Sequence, residues 1–442
     1  MNTPIYDFVR GYAQEGQARL HMPGHKGKSV LGCEPFDITE VKGADALYEA
    51  DGIIAESEQN ATALFGTQRT FYSTEGSSQC IRAMVYLAVT CRGAERSAAI
   101  LAGRNAHKAF LYAAALTDCR VEWLWPKEQG SLCACPITPA DVEEALSQLE
   151  TPPAAVYVTS PDYLGNQLDI AGIAEVVHRH HTILLVDNAH GAYLKWLQPS
   201  RHPMDLGADL CCDSAHKTLP VLTGGAYLHV GKTAAPIFAR RGKAALGLFG
   251  STSPSYLTLA SLDLCNRYLT EGYSGRLAAT AARIGVLKDV LRGWGWRIGE
   301  SDPLKLTIQC GGQGERLADY LRCAGIECEL ASPDHLVLMC TPENAEGDYR
   351  TLEKALGMAP HGAVFAKPPA VPRCDAVMPI REAMFAPQRR IPVEQAAGRI
   401  CGTPTVSCPP AIAVVVSGER ITQEAAQVLK FYGTDFVDVV EE

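Results

Sequence analysis

The sequence has 442 residues, of which 47% are hydrophobic and 20% charged, and its formal net charge is −9. These values are ordinary for a globular protein of two or three domains, and they exclude a disordered chain, a collagen and a coiled coil. The acidic balance, with a pI of about 5.8, argues against a nucleic-acid binder, because such proteins generally present a basic face.

The start of the chain and its cysteines point to the compartment. The first twenty residues are polar and charged, unlike the apolar core of a secretory signal, and no uncharged apolar run approaches the roughly 18 residues of a membrane helix. The sixteen cysteines are scattered and form no CxxC motif. We interpret them as reduced thiols that act as small apolar residues, with no metal bound. These features predict a cytoplasmic protein without a membrane partner.

The first part of the chain predicts a large α/β domain. The first sixty residues are polar and glycine-rich, and from about residue 62 short apolar runs alternate with helical stretches. Such alternation favours a mostly parallel sheet covered by helices on both faces. The predicted strands are Ala98–Ala102, Val121–Trp125, Ala154–Thr159, Thr182–Val186, Leu210–Asp213 and Ala226–His229, and the predicted helices are Ile5–Gln14, Ser78–Cys91, Asn105–Ala115, Thr138–Leu149 and Ile170–His180.

The later part of the chain predicts a second, smaller α/β unit. It follows a long helical connection from Tyr256 to about Trp294. A stretch rich in proline and arginine, Ala363–Pro410, is either a domain boundary or an extended closing segment. The predicted strands of this unit are Lys305–Gln309, Ile326–Leu330 and His335–Met339, and its predicted helices are Glu315–Ala324 and Tyr349–Leu356.

Three polar clusters fall at predicted strand ends, which is where open parallel sheets bind ligands. Ser73–Ser78 precedes a helix, so its backbone N–H groups suit a phosphate. Asp187–His190 begins with a carboxylate that needs a partner at the end of a core strand. Ser214–Thr218 holds a lysine beside apolar strands, where an amine can form a Schiff base. Taken singly, the clusters have plainer interpretations: a helix cap, a capped turn and a surface lysine.

The three clusters together predict a cofactor. Pyridoxal 5'-phosphate (PLP) needs a phosphate cradle, an acid that keeps its ring nitrogen protonated and a lysine for its aldehyde. Ser77 and Ser78, then Asp187, then Lys217 supply these groups in that order, and the acid precedes the lysine by 30 residues. We therefore predict a PLP-dependent enzyme.

The sequence also resembles the Orn/Lys/Arg decarboxylases, which have the aspartate-aminotransferase-like fold, fold type I of PLP enzymes. The most specific matches are HMPGHKG at residues 21–27 and SAHKT at residues 214–218. The remaining matches cover most of the chain: Asp37–Glu40, Arg104–Ala109, Thr159–Gly165, Asp187–Ala192, Ser251–Tyr256 and Ile391–Glu394. The resemblance implies an N-terminal segment and large PLP-binding domain with a mostly parallel seven-stranded sheet over residues 1–294, and a small C-terminal α/β domain over residues 295–442.

The resemblance implies a role for each matching site residue. Lys217 would bind the cofactor aldehyde, Asp187 would pair with the pyridine nitrogen, and His107 would stack on the ring. Without the resemblance, we would interpret His107 as a helix cap. The other implied cofactor contacts are Gly76, Ser77, Ser78, Ser214 and His216 at the phosphate, Ala189 and His190 at the other face of the ring, and Ser253 or Thr252 at the phosphate of a neighbouring subunit.

The implied reaction is decarboxylation of a basic amino acid, with arginine favoured over lysine and ornithine and with Lys217 or His216 returning a proton to Cα. The resemblance is to short members without a receiver-like N-terminal domain, which implies a homodimer with shared active sites and a place in polyamine-type metabolism. Two alternatives stay open at this point. One is a PLP-dependent aminotransferase or lyase, and the other is a non-catalytic PLP-fold binding or regulatory protein.

Two segments depart from the family pattern. Glu75 stands beside the predicted phosphate cradle, where a carboxylate is unfavourable unless it points away or meets a cation, such as the substrate's guanidinium or ammonium group. Ser407–Ile412 replaces a Pro-Tyr-Pro-Pro-Gly-Ile pattern, and the altered Cys408 and Ala411 bear on which substrate is bound.

Overall fold

The computed structural model describes residues 1–128, 130–300, 302–360, 368–404 and 411–441. Its helices are α1 (Pro4–Gln14), α2 (Ile53–Phe65), α3 (Gly76–Thr90), α4 (Lys108–Thr117), α5 (Pro139–Ser147), α6 (Ile170–Arg179), α7 (Ala215–Thr218), α8 (Pro236–Gly247), α9 (Tyr256–Thr270), α10 (Tyr273–Gly293), α11 (Gly314–Cys323), α12 (Glu346–Met358), α13 (Ile380–Phe385) and α14 (Gln423–Phe431). Its strands are β1 (Arg69–Ser73), β2 (Ala99–Gly103), β3 (Arg120–Leu124), β4 (Ala155–Thr159), β5 (Leu184–Asp187), β6 (Leu210–Asp213), β7 (Ala226–Val230), β8 (Lys305–Gln309), β9 (Leu330–Ala331), β10 (His335–Met339), β11 (Gln388–Pro392) and β12 (Phe436–Val440).

The main sheet has seven strands in the order β1-β7-β6-β5-β4-β2-β3. β5 runs parallel to both β4 and β6, and β2 runs parallel to β3, whereas β7 is antiparallel to both β6 and β1. The predicted mostly parallel seven-stranded α/β sheet is confirmed. Because strands β2, β4, β5, β6 and β7 are buried along their whole length, they are continuous apolar runs rather than alternating ones.

By its internal contacts the chain divides into two compact units, each assembled from three pieces. Unit 1 comprises residues 1–98, 146–160 and 169–275, and unit 2 comprises residues 99–145, 161–168 and 276–442. The domain boundary that we predict between residues 294 and 295 stays a prediction.

Unit 1 contains the strand ends at which the sequence predicts the site. β5 and β6 lie side by side, with Asp187 opposite Cys212, and the antiparallel β7 places Tyr227 opposite Asp213. Parallel strands of one sheet present their carboxyl ends at one edge, so the segments that follow β5 and β6 leave the sheet on the same side. The register therefore brings the second and third polar clusters next to each other.

Unit 2 contains two small antiparallel sheets, β8-β10-β9 and β11-β12. Its most buried charge is Arg104, whose guanidinium nitrogens Nη1 and Nη2 each lie 2.7 Å from a carboxylate oxygen of Glu419. The guanidinium carbon also lies 4.8 Å and 4.6 Å from the ring centres of Trp123 and Trp125. A planar cation suits both contacts, because it binds a carboxylate through two parallel hydrogen bonds and stacks on aromatic faces.

Hydropathy along the described helices gives no candidate for a bilayer-spanning segment.

Candidate active site

The first part of the site is the turn between β1 and α3. α3 begins at Gly76, whose φ of +70° lies in the left-handed region, and the Gly76 N–H donates to Gly224 O at 2.7 Å. The buried Ser77 hydroxyl accepts a hydrogen bond of 2.8 Å from Ser214 Oγ, so the first and third polar clusters are in contact. Ser78 is half-buried in the same first turn. Backbone N–H groups and hydroxyls at a helix N-terminus are the groups that bind a phosphate.

For Glu75 the sequence allows either a cation as partner or a position that points into solvent. Glu75 is exposed, and its carboxylate accepts a hydrogen bond from the backbone N–H of Ser251. That hydrogen bond connects the start of α3 to the Ser251–Tyr256 segment. Ser253 in the same segment is also exposed, and its N–H donates to Ser251 Oγ at 3.1 Å. The contact of Ser253 with a neighbouring subunit stays a prediction.

The second part of the site is the lysine on the short helix α7. Lys217 is half-buried, and its Nζ lies 3.0 Å from Nε2 of the buried His190. This contact places the amine at the turn that begins with Asp187. The neighbouring His216 is held by the Gly225 carbonyl, which accepts from both its backbone N–H (3.2 Å) and its ring Nδ1 (3.0 Å).

The third part of the site is Asp187, the last residue of β5, with only 2% of its surface exposed. Its Oδ2 accepts a hydrogen bond of 3.0 Å from Tyr157 Oη, and its Oδ1 accepts from the Ala189 N–H at 3.2 Å and from Cys212 Sγ at 3.6 Å. Donors of this kind allow a carboxylate to remain charged inside a protein. Burial raises the pKa of Tyr157 well above its usual range, so the phenol stays protonated and donates.

Sequence reasoning missed Tyr157. The signal available was a single tyrosine flanked by valines in the buried strand β4, because a buried phenol requires a polar partner. The identity of that partner depends on the pairing of β4 with β5, which sets Thr159 opposite Asp187.

His107 belongs to unit 2 and is the N-cap of α4, where its Nδ1 accepts the Ala109 N–H at 3.1 Å. The interpretation of this histidine as a helix cap therefore describes its hydrogen bond to the backbone. The stacking of its ring on a cofactor stays a prediction. Of the altered late segment, Ser407 to Pro410 lie outside the described residues, and Ala411 packs in a core cluster of unit 2 with Tyr163 and Val337.

The residues of unit 1 fit PLP by the chemistry of their side chains. An amine, a buried ionisable carboxyl group and two hydroxyls at a helix N-terminus match the aldehyde, the ring nitrogen and the phosphate of that molecule. Gly224, whose φ is +95°, also allows its segment to approach the turn closely, because a Cβ there would lie 2.6 Å from Thr74 O. Lys217, Asp187, Ser77 and Ser214 are the residues that would hold the cofactor.

Comparison with solved structures defines the class. The constitutive lysine decarboxylase of E. coli superposes with a TM-score of 0.79 at 17% sequence identity, covering 100% of this chain and 82% of that one. The fold is that of the PLP-dependent enzymes of fold type I.

Sequence comparison defines the family. The model of the Orn/Lys/Arg decarboxylase major domain matches residues 3–288, and that of the C-terminal domain of the same family matches residues 365–434. The chain is 29% identical to "Uncharacterized protein YaaO" of Bacillus subtilis, over 97% of this chain and 94% of that protein. It is 28% identical to an arginine decarboxylase of the same organism, over 96% and 92%. The chain belongs to the Orn/Lys/Arg decarboxylase family, and it is an amino-acid decarboxylase of the PLP-dependent class.

Proposed function

We propose that this enzyme removes the α-carboxylate of arginine and releases CO₂ and the corresponding amine, with PLP as its cofactor. The observation that carries the proposal is the Lys217 amine, 3.0 Å from His190 Nε2 at the turn that begins with the buried Asp187. Support for arginine comes from the full-length relatives, several of which are named arginine decarboxylases. Lysine and ornithine are the competing substrates.

PLP, when bound, supplies an aldehyde that takes up the substrate amine and a ring that accepts the electrons of the Cα–carboxylate bond. The chain's own residues supply charge and position. Asp187 brings a buried negative charge that Tyr157, Ala189 and Cys212 hold by hydrogen bonds, so its direction is fixed before any ligand arrives. A fixed charge in a water-poor site stabilises an opposite charge more strongly than it would in water.

We propose that Lys217 Nζ returns a proton to Cα after CO₂ leaves. Its contact with His190 Nε2 gives that amine a partner with which it can exchange a proton. His216 is the weaker candidate, because its Nδ1 hydrogen bonds to a carbonyl oxygen, which only accepts. In the neutral imidazole the proton therefore lies on Nδ1, and Nε2 has none to give.

The experiment is product identification by mass spectrometry after incubation with PLP and arginine, lysine or ornithine in turn. We expect CO₂ and the amine of arginine, together with a yellow protein that loses its absorbance in Lys217→Ala. Lys232→Ala, at an exposed position of unit 1, is the matched control and should keep both colour and activity. A 2-keto acid would instead identify an aminotransferase, and the absence of CO₂ from all three substrates would contradict the proposal.

We further propose that two copies of the chain form a homodimer with shared active sites. Its support within the chain is the exposed Ser251–Ser253 stretch, tied to the predicted phosphate cradle through Glu75.

A further inference from the structure

The fully buried carboxylate of Asp213 lies between two of the site segments and has no part in the proposed reaction. It ends β6, directly before Ser214. Its Oδ2 lies 2.9 Å from His202 Nε2 and 3.1 Å from His229 Nε2, and its Oδ1 accepts a hydrogen bond of 2.6 Å from Asn188 Nδ2. Both histidines and Asn188 are fully buried too. A buried charge is costly unless donors surround it, and three N–H groups surround this one.

The outer contacts of the histidines fix where their protons lie. His202 Nδ1 faces the backbone N–H of Met204 at 3.3 Å, and a backbone N–H can only donate. The proton of His202 is therefore on Nε2, pointing at Asp213. Burial lowers the pKa of His229, so this ring is neutral, donating from Nε2 to Asp213 and accepting from Thr70 Oγ1 at Nδ1 (2.9 Å). Although burial alone would raise it, the pKa of Asp213 is held well below its usual range by the two imidazoles.

These proton positions disfavour a metal ion. The side chains of His202, Cys211 and Asp213 lie close enough together to ligate one. A histidine ligand, however, must present a lone pair to the metal, and the nitrogen of His202 that faces the cluster carries its proton. Burial also raises the pKa of the Cys211 thiol well above its usual range, which opposes the thiolate that a metal requires. The cluster is a hydrogen-bonded network.

We propose that Asp213 is a positioning residue for the active site: it locks the turn that carries Asp187 to the segment that carries Ser214 and Lys217. This inference rests on the proposed function of that site. On one side Asp213 holds the side chain of Asn188, whose backbone N–H also donates to Cys212 O at 3.0 Å. On the other side it is covalently joined to Ser214, whose hydroxyl reaches Ser77.

Asn188 has little freedom to move once Asp213 holds it. Gly191 packs against the other side of the amide, and a Cβ at that position would lie 2.0 Å from Asn188 Oδ1. The Gly191 N–H also donates to Asn188 O at 2.8 Å. The carboxylate of Asp213 thus fixes the relative positions of the acid, the amine and the hydroxyls, on which both cofactor binding and rate depend.

The test is the substitution Asp213→Asn, which keeps the size of the side chain and removes its charge. One of the three donors must then face an amide NH₂ group. We expect the Kd for PLP, measured by absorbance titration of the apoenzyme, to rise by about tenfold or more. We also expect kcat to fall while KM for the amino acid changes little.

Asp209→Asn is the matched control. Asp209 is also buried and bound to a histidine, with Oδ2 2.8 Å from His178 Nε2 and 2.8 Å from the Leu184 N–H, but it precedes β6 and lies at the opposite end of that strand. We expect Asp209→Asn to lower the urea midpoint of unfolding and to leave the Kd for PLP within about twofold of the wild-type value. Equal loss of PLP affinity in both variants, or wild-type affinity in Asp213→Asn, would overturn the proposal.

A second variant covers the case in which Asp213→Asn does not fold. Asn188→Ala breaks the connection from the turn while Asp213 keeps both imidazole donors, and we expect the same loss of PLP affinity. Wild-type PLP affinity in Asn188→Ala contradicts the proposal. Because the readout is cofactor affinity, a failure of the positioning role is distinct from a failure of the proposed reaction, which would appear as PLP binding without release of CO₂.

Discussion

At the scale of single residues, the acid of the site depends on groups that do not themselves react. Asp187 receives hydrogen bonds from a phenol, a backbone N–H and a thiol, each from a different segment of unit 1. Of the two side-chain donors, the phenol of Tyr157 is the stronger, since thiols donate weakly. Removing this phenol should therefore weaken the binding of the cofactor.

We predict that Tyr157→Phe weakens PLP binding by about tenfold, because one hydrogen bond to a charged group is worth roughly 1.5–3 kcal/mol. The measurement is the Kd for PLP from absorbance titration. Tyr72→Phe is the control, because Tyr72 is another buried phenol of unit 1, bonded to Ser57 and Asn266 rather than to Asp187. It should lower stability and leave the Kd unchanged. Equal Kd values for Tyr157→Phe and the wild type would show that the phenol does not support the acid.

Sequence and family pattern together were enough to propose an amine, an acid and hydroxyls for the site, because each stands in a distinctive local motif, and their roles stay predictions. The motifs could not identify the residues that position these groups through hydrogen bonds. Tyr157 is 30 residues from Asp187, and His202 and His229 lie 11 and 16 residues on either side of Asp213. Such contacts depend on which strands are neighbours and in which register, and an isolated sequence does not specify either.

At the scale of elements, one carboxylate of α9 accepts hydrogen bonds from the start of the N-terminal helix α1, which packs against α9. Asp263 Oδ2 accepts the N–H groups of Ile5 (2.9 Å) and Tyr6 (3.0 Å) at the start of α1, and its Oδ1 accepts from Ser57 Oγ at 2.5 Å. Burial outweighs these hydrogen bonds and raises the pKa of Asp263 to about 6. This part of the fold should therefore respond to pH.

The sign of the response follows from the two states of Asp263. Its pKa is about 6 in the folded protein and about 3.9 in an unfolded chain, so between these values the folded state binds the proton more tightly. The free energy of unfolding should then decrease as pH rises from about 4 to about 6, and change no further above that. Asp263→Asn, which imitates the protonated form, should lack this pH dependence of the free energy of unfolding.

We predict that the free energy of unfolding of Asp263→Asn, relative to that of the wild type, increases by about 1–2 kcal/mol between pH 4.5 and pH 7. The measurement is the difference between the two proteins in urea unfolding across that range, which cancels the other titrating groups. The exposed Asp51→Asn is the control and should show no such trend. A difference between Asp263→Asn and the wild type that is constant with pH would contradict the prediction.

The sequence predicted most elements of the main sheet because buried parallel strands are uniform apolar runs. It missed β1, whose sequence RTFYS has polar residues at both ends, and α2, where polar residues interrupt the apolar face. The predicted strand Ile326–Leu330 was wrong over most of its length, because strand pairing begins only at Leu330. These are places where tertiary contacts, rather than local pattern, decide the structure.

At the scale of the whole molecule, unit 2 depends on residues from distant parts of the chain. Arg104 follows β2 in the part matched by the major-domain model, and Glu419 lies in the part matched by the C-terminal model. Their paired hydrogen bonds of 2.7 Å are buried, and Glu419 also accepts the Val416 N–H at 2.9 Å. The buried charges of Arg104 and Glu419 thus compensate each other.

We predict that Glu419→Gln destabilises unit 2 by about 3–5 kcal/mol, because it leaves the Arg104 cation buried without its counter-ion. The measurement is urea unfolding followed by the fluorescence of the adjacent Trp123 and Trp125. Asp319→Asn removes an exposed partner of Arg322 in the same unit, so it should leave the unfolding midpoint nearly unchanged. Similar midpoints for Glu419→Gln and Asp319→Asn would show that the buried pair does not stabilise unit 2.

The division of unit 2 into three separate stretches has a consequence for synthesis on the ribosome. Residues 99–145 leave the exit tunnel early, but most of the residues that complete their unit begin only at residue 276. At about 5–20 residues per second, this first stretch waits on the order of ten seconds for its partners. Cys133 and the adjacent Leu132 and Ala134, which in the finished protein pack in one apolar cluster with Leu330 and Val337, lack those partners during that time. We therefore expect nascent chains halted before residue 276 to recruit a holding chaperone that the released full-length enzyme no longer binds.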